Sequence, residues 1–183
     1  MDFWTHLAQL SLIETERLYL RPITYFDSDA FFEFASDPSQ LSFIFPAVAT
    51  RSESDYLLTH AFLRKPLGCW AIAEKNQQDM IGFIKFENIV VSSASAELGY
   101  FLSHKYRGRG YMTEVVRHLL AYSFEDLSFK CLKIVTHKEN IASQKVAQAT
   151  SFSLKRAFKG SDRYTHKVRD YLEYQISKGD YHE

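Results

Sequence analysis

The chain has 183 residues, of which 46% are hydrophobic and 15% aromatic, and its 22 basic residues balance its 22 acidic ones. This length is that of one domain, and the apolar content excludes a disordered or fibrous protein. A net charge of zero disfavours a surface that binds nucleic acid. The two cysteines, Cys69 and Cys131, lack metal-site spacing and are interpreted as buried apolar side chains. With neither a secretion signal nor a membrane-spanning run, the sequence predicts a cytoplasmic protein.

The first part of the chain predicts an accessory segment, a strand and two helices. Residues 1–13 are the accessory segment and include a short helix. Residues 16–22 alternate polar and apolar side chains, as a half-buried strand does. A helix follows over residues 30–35, and Ser52 with Asp55 is predicted to open a second helix that ends before Pro66.

The period then changes to that of a sheet. Residues 69–73, 81–86 and 96–102 are short aromatic and β-branched runs, which predicts an antiparallel meander. After it we predict a helix at 112–127, a strand at 132–135 and a short helix from Asn140. Two last runs, 151–158 and 168–176, predict a closing hairpin with a long loop around Gly160. No repeat or linker divides the chain, so a single domain is expected over residues 1–183.

The most informative segment is the basic glycine loop at residues 106–114. Gly108 and Gly110 permit a sharp turn that exposes backbone N–H groups, and the start of the following helix favours an anion. Lys105, Arg107 and Arg109 add positive charge, so the loop is interpreted as a phosphate cradle. The spacing is neither a Walker loop nor the dinucleotide fingerprint, and on spacing alone an ordinary turn before a helix is the better explanation.

Four ordered motifs, at residues 16–22, 97–102, 107–114 and 140–143, resemble those of the GNAT N-acetyltransferases. The resemblance is to the ribosomal-protein N-terminal acetyltransferase (RimJ/RimL-like) branch. In its Gln/Arg-x-x-Gly-x-Gly/Ala loop, Arg107 takes the first position and Gly110 the central one. Met112 departs from the small last residue but is a familiar variant within the branch.

The resemblance implies an α/β (α+β) fold of one GNAT-type domain. Its sheet is mixed and mostly antiparallel, is flanked by helices, and has splayed fourth and fifth strands between which acetyl-CoA binds. One backbone N–H of residues 100–102 would hold the oxyanion on the thioester. Asn140 would touch the cofactor, although it is equally well explained as a helix N-cap. The implied cofactor-binding residues are Tyr100, Phe101, Leu102, Arg107, Gly108, Arg109, Gly110, Tyr111, Met112, Asn140 and Ser143.

Glu97 is the candidate general base, because an amine attacks only when it is neutral and a carboxylate can take its proton. The alternative is a structural charge at a strand edge or a partner for an arginine. Glu87 is a weaker candidate for the same task or for attracting a cationic substrate. Trp70 and His137 are candidates for the acceptor pocket, or else belong to the core or its rim.

Many GNAT enzymes protonate the departing CoA thiolate from a tyrosine, and that position here is Ala147. Ser143 lies one helical turn after Asn140 and is the branch-like substitute, acting directly or through water. Its alternative role is a hydroxyl bonded back into its own helix.

The resemblance therefore implies an acetyl-CoA-dependent N-acetyltransferase that uses direct transfer. The acceptor is a primary amine, either a protein N-terminus or a small molecule. The alternative function is a non-catalytic acyl-CoA-binding or sensing domain. We expect no metal, nucleic acid or membrane partner, and the aromatic-rich strands leave room for a homodimer.

Overall fold

The computed structural model describes residues 2–182, which divide into two compact units. The first unit comprises the chain up to Lys85 together with Tyr100–Tyr111. The second comprises Phe86–Gly99 and the chain from Met112 onward. Two strands, β4 (Gly82–Val90) and β5 (Ser95–Leu102), run through both units.

The first unit carries three helices on one end of the sheet. They are α1 (Phe3–Gln9), α2 (Ser28–Ala35) and α3 (Arg51–Leu58), the last continued by a π-helical turn over Thr59–Leu63. Its first three strands are β1 (Ile13–Glu14), β2 (Leu18–Pro22) and β3 (Cys69–Glu74). The strands follow the order β1-β2-β3-β4-β5, and β1 to β4 pair antiparallel.

An aromatic cluster fixes the end of β5 in this unit. The ring of Phe101 lies 4.7 Å from that of Phe34 in α2 and 5.8 Å from that of Phe83 in β4. Phe62 lies 4.8 Å from Phe83 and 5.5 Å from Phe31, so α2, the π-helical turn and the sheet share these rings. Buried aromatic pairs contribute energy beyond their buried area and have preferred geometry. The strand that was predicted to hold the thioester is therefore anchored by its buried side chains.

Helix α3 begins two residues earlier than the sequence predicts. Thr50 is the N-cap: its hydroxyl accepts the N–H of Glu53, and the Glu53 carboxylate accepts the N–H of Thr50 at 3.3 Å. The predicted pair, Ser52 with Asp55, has the same spacing of three, and Asp55 instead binds Arg51. The prediction of the start was wrong because spacing alone does not distinguish overlapping capping boxes.

The second unit carries two helices and the later strands. Its helices are α4 (Tyr111–Glu125), whose first residue belongs to the first unit, and α5 (Ile141–Ala149). The strand order is β4-β5-β6-β8-β7, with β6 (Cys131–His137), β7 (Ser153–Ser161) and β8 (Val168–Ser177). In β6 the even-numbered residues are buried and the odd-numbered ones half-buried, so one face is fully covered.

The pairing of β5 with β6 is parallel. Ser95–Glu97 pair in parallel with Cys131–Lys133, whereas β6 with β8 and β7 with β8 pair antiparallel. The parallel ladder is short: β5 continues to Leu102 and β6 to His137. The predicted class, an α/β fold with a mixed, mostly antiparallel sheet flanked by helices, is confirmed.

The closing hairpin differs from the prediction in its turn. Gly160 lies inside β7, opposite Arg169 of β8, rather than in a loop. The turn covers residues 162–167, where the Asp162 carboxylate accepts the N–H groups of Tyr164 and Thr165 at 3.0 and 2.7 Å. The presence of a glycine suggested a loop at this position. In the structure the absence of a side chain instead leaves room for the Tyr171 ring.

Across residues 2–182, no helix combines the length and the apolar character needed to cross a bilayer.

Candidate active site

The glycine loop connects β5 to α4 with its backbone exposed. Gly108 and Gly110 have φ angles of +76° and +78°, which L side chains rarely adopt. A Cβ built on Gly108 would meet nothing within 4 Å. The loop therefore offers an open backbone surface at the start of a 15-residue helix, where orphan N–H groups favour an anion. These features fit a diphosphate.

Arg107 holds the loop to the end of β5. Its Nε donates to the Leu102 carbonyl at 2.7 Å and its Nη2 to the Gln40 carbonyl at 3.3 Å. The guanidinium also lies over the Phe101 ring. Burial lowers the pKa of Arg107, from a value so high that the group stays charged. The side chain that was predicted to face the phosphates thus braces the loop.

The other two cations of the loop are paired with carboxylates. Lys105 forms an ion pair with Glu33, which raises the pKa of the lysine. Arg109 donates to the Lys105 carbonyl and lies 3.7 Å from a Glu74 oxygen. Glu74 also accepts the hydroxyl of Tyr111, and this hydrogen bond raises the pKa of the tyrosine. The positive charge of the loop is accordingly smaller than the sequence alone indicates.

Arg17 brings a further guanidinium to the loop, and sequence reasoning missed it. Its Nη1 donates to the Arg109 carbonyl at 3.0 Å, and the group lies 4.6 Å from the centre of the Tyr111 ring. Its Nη2 lies 3.6 Å from the position of a Cβ on Gly110. The signal that could have found it is the presence of an arginine in the motif at residues 16–22.

Residues 100–102, predicted to pair with the cofactor, lie beside β4. Phe101 and Leu102 are buried and Tyr100 is half-buried. A Cβ on Gly82 of β4 would lie only 2.2 Å from the Phe101 carbonyl oxygen, so this glycine permits a close approach of the two backbones. The first unit thus brings together the end of β5, the glycine loop and Arg17.

Glu97 lies half-buried in β5, within the second unit. Its Cα is opposite that of Lys133 in the parallel ladder, at the last paired position. Glu87 of β4 lies against Gly99 of β5, and its carboxylate is 3.9 Å from Nη1 of Arg163. The two acidic candidates therefore lie on neighbouring strands, Glu87 on β4 and Glu97 on β5.

Asn140 caps α5, as its alternative role predicted. Its Oδ1 accepts the N–H of Ser143 at 3.2 Å. Ser143 is buried, and Ala147, one turn further on, has no exposed surface. Met112 is buried in the first turn of α4. These four residues lie in the second unit. Contact of Asn140, Ser143 and Met112 with a cofactor stays a prediction.

Of the two acceptor-pocket candidates, Trp70 belongs to the core. It is 2% exposed, and its indole N–H donates to the Leu10 carbonyl at 2.8 Å. His137 at the end of β6 is half-buried, with Nε2 3.6 Å from an Asp162 oxygen and its ring against Tyr171. Burial lowers the pKa of His137, and Asp162 partly opposes that shift.

A family model, the acetyltransferase (GNAT) domain, matches residues 17–153. The chain therefore belongs to the GNAT acetyltransferase family, and the implied GNAT-type fold is confirmed. The protein is an acetyl-CoA-dependent N-acetyltransferase that acts on amine substrates.

Similar proteins cover almost the whole chain. An uncharacterized N-acetyltransferase p20 of Bacillus licheniformis is 24% identical over 176 residues, which are 94% of this chain and 99% of that protein. A GNAT-family acetyltransferase from Bacillus anthracis has a similar crystal structure, with a TM-score of 0.81 and 21% identity over 92% of this chain and 99% of that one. The structure of a RimL ribosomal L7/L12 alpha-N-protein acetyltransferase in complex with coenzyme A is also similar. Its TM-score is 0.75, with 20% identity over 91% of this chain and 97% of that one.

Proposed function

We propose that the acceptor is the α-amine of a protein N-terminus. The name of the similar RimL enzyme supports this class of acceptor. The chemistry also favours it, because an α-amine with a pKa near 7.8 is about one-tenth neutral at pH 7. A lysine amine with a pKa near 10.4 is neutral in fewer than about one molecule in a thousand. Removing the proton from an α-amine therefore costs less free energy than removing it from a lysine amine, which favours catalysis by a single carboxylate base.

Glu97 is the proposed general base. It takes the proton that the amine loses as its nitrogen attacks the acetyl carbonyl. Acetyl-CoA supplies an acetyl group on a thioester, whose thiolate leaves readily. A backbone N–H of Tyr100, Phe101 or Leu102 donates to the thioester oxygen, and the aromatic anchoring of β5 holds that donor in place.

The loop from Arg107 to Met112 is the proposed diphosphate site. Its open backbone at Gly108 and its two positive φ angles support this assignment. Arg109 and Arg17 would add charge, while Arg107 keeps the loop in shape through Leu102. Asn140 and Ser143 are the proposed contacts on α5, with Ser143 or a water that it holds returning a proton to the thiolate.

The observation that carries the acetyl-CoA assignment is the exposed glycine loop at the start of α4 in a chain of this family. The N-terminal acceptor is tested by incubating the protein with acetyl-CoA and a library of peptides whose lysines are blocked, followed by mass spectrometry. We expect acetylation of free N-termini. No acetylation of these lysine-blocked peptides, with acetyl-CoA bound to the protein, would contradict an N-terminal acceptor.

We also propose one catalytic domain over residues 1–183 that works in a reducing, cytoplasmic compartment. Cys69 is buried as predicted, whereas Cys131 is half-buried, so that part of the prediction was wrong. Partial burial still raises the pKa of the Cys131 thiol, which supports a structural cysteine. A homodimer through the aromatic strands is a further prediction. Two of those rings, Phe158 and Tyr171, stack on each other inside the hairpin at 5.5 Å.

A further inference from the structure

A glycine in β5 makes room for the carboxylate of Glu87. A Cβ built on Gly99 would lie 2.9 Å from Oε2 of Glu87 and 3.0 Å from its carboxyl carbon. Carbon atoms in proteins do not approach so closely, so the carboxylate occupies the space that a side chain of residue 99 would fill. Glu87 thereby extends from β4 onto the neighbouring strand.

Glu87 and Glu97 consequently share one face of β5. Side chains two residues apart on a strand point to the same face, so the direction of position 99 is also that of Glu97. The rise of a strand separates positions 97 and 99 by about 7 Å. Glu87 keeps 26% of its side chain exposed and Glu97 is half-buried. A ligand on this face can therefore meet both carboxylates.

A cation of the chain already lies on Glu87. Nη1 of Arg163 is 3.9 Å from Oε1 of Glu87, which is longer than a hydrogen bond, and the arginine side chain is 67% exposed. Arg163 belongs to the turn between β7 and β8, directly after Asp162, which lies 3.6 Å from His137. Because exposed ion pairs contribute little, a ligand can replace this guanidinium at low cost.

We propose that Glu87 binds a second cationic group of the acceptor, and that Arg163 occupies the carboxylate until the acceptor displaces it. The inference rests on the proposed function, in which Glu97 is the base. The reacting amine loses its proton to Glu97, while a cation beside Glu87 stays charged because the carboxylate stabilises the charged form. The substrate class is then a free amine with a second positive charge close by, as in an N-terminus followed by a basic residue, or in a diamine.

The test compares three peptides with a free N-terminus and arginine, glutamine or glutamate at the second position, together with a small diamine. We expect the wild-type protein to acetylate the arginine peptide with the lowest KM. Glu87→Gln raises the KM for that peptide about tenfold, and this increase is larger than any change in the KM for the glutamine peptide. Arg163→Gln lowers the KM for the arginine peptide a few-fold, because it removes the competing cation. If the ion pair were merely structural, Glu87→Gln and Arg163→Gln would change the KM for the arginine peptide in the same direction.

Arg156→Gln is the matched control. It removes another arginine of the hairpin, one that donates to Glu173 at 2.8 Å, and it should leave the ratio of the KM values unchanged. An unchanged preference for charge in Glu87→Gln, or a raised KM in Arg163→Gln, overturns the inference.

Failure of the inference is distinct from failure of the proposed function. Acetylation of all three peptides without a charge preference contradicts only the role of Glu87. Acetylation of the diamine alone, with a KM that depends on Glu87, supports the second-cation site and contradicts the N-terminal acceptor. No acetylation of any peptide or diamine, with acetyl-CoA bound, contradicts both.

Discussion

Arg17 shows what a single residue can do that its neighbours in sequence do not reveal. It reaches the glycine loop from 92 residues away, and its guanidinium lies over the Tyr111 ring and beside Gly110. The sequence could predict the loop and its own cations from local spacing. It could not predict that Lys105 and Arg109 are paired with Glu33 and Glu74, because these contacts depend on the tertiary fold.

We expect Arg17→Met to weaken CoA binding about tenfold, or roughly 1.4 kcal/mol, the size of one charge-assisted contact. Methionine keeps apolar contact with the Tyr111 ring and removes the charge. Isothermal titration with CoA and with pantetheine, which lacks the phosphates, measures the change. Arg117→Met is the control, since Arg117 is also exposed and donates to a carbonyl, that of Ala149 at 3.2 Å. An equal loss for pantetheine would mean that Arg17 only supports the loop.

Glu97→Gln should lower turnover by roughly 10²- to 10⁴-fold with little change in cofactor affinity, because glutamine cannot accept the proton of the amine. Ser143→Ala should cost less, about tenfold, because CoA thiolate with a thiol pKa near 8.5 leaves without much assistance. Steady-state kinetics and CoA titrations of both variants test this order. A loss in Ser143→Ala as large as that in Glu97→Gln would make Ser143 the principal proton donor.

At the scale of elements, type and order were predictable, and ends were less so. Apolar residues at helical spacing identified α4, whose observed bounds are Tyr111–Glu125. Alternation identified β6, where every second residue is buried. The prediction of the start of α3 was wrong because two capping boxes overlap there. The prediction of the last hairpin turn was wrong because Gly160 packs against Tyr171 within a strand. Local patterns constrain these positions only when one candidate is present.

The glycine loop is the element on which cofactor binding should depend most. Gly110→Val should abolish CoA binding and also cost about 1–2 kcal/mol of unfolding free energy, because an L side chain is strained at a φ of +78°. Calorimetric titration measures the affinity, and urea unfolding measures the stability. Gly179→Ala is the control, as its added Cβ would meet only the Ser177 hydroxyl at 4.0 Å. Unchanged CoA affinity in Gly110→Val would place the phosphates elsewhere.

At the scale of the whole molecule, the order of motifs predicted the fold better than any one of them did. The change of period from helix to sheet in mid-chain, and its return at α4, predicted a mixed sheet with helices. Strand order was harder, because β8 lies between β6 and β7 and only long-range pairing determines this. The resemblance to the GNAT family supplied a mixed sheet with splayed fourth and fifth strands. The parallel pairing of β5 with β6 was not predicted, because local periodicity does not encode strand direction.

Cofactor binding should stabilise the folded molecule as a whole. A ligand that binds only the native state contributes about 2.7 kcal/mol when its concentration is a hundred times its Kd. For a chain of this size that corresponds to a rise in Tm of roughly 5–10 °C. Differential scanning fluorimetry with acetyl-CoA, CoA and pantetheine at equal concentrations measures the rise. We expect acetyl-CoA and CoA to exceed pantetheine, because pantetheine lacks the phosphates for which the glycine loop is the proposed site. Equal shifts with pantetheine would mean that the loop contributes nothing to affinity, and the stabilisation would then come from the pantetheine arm alone.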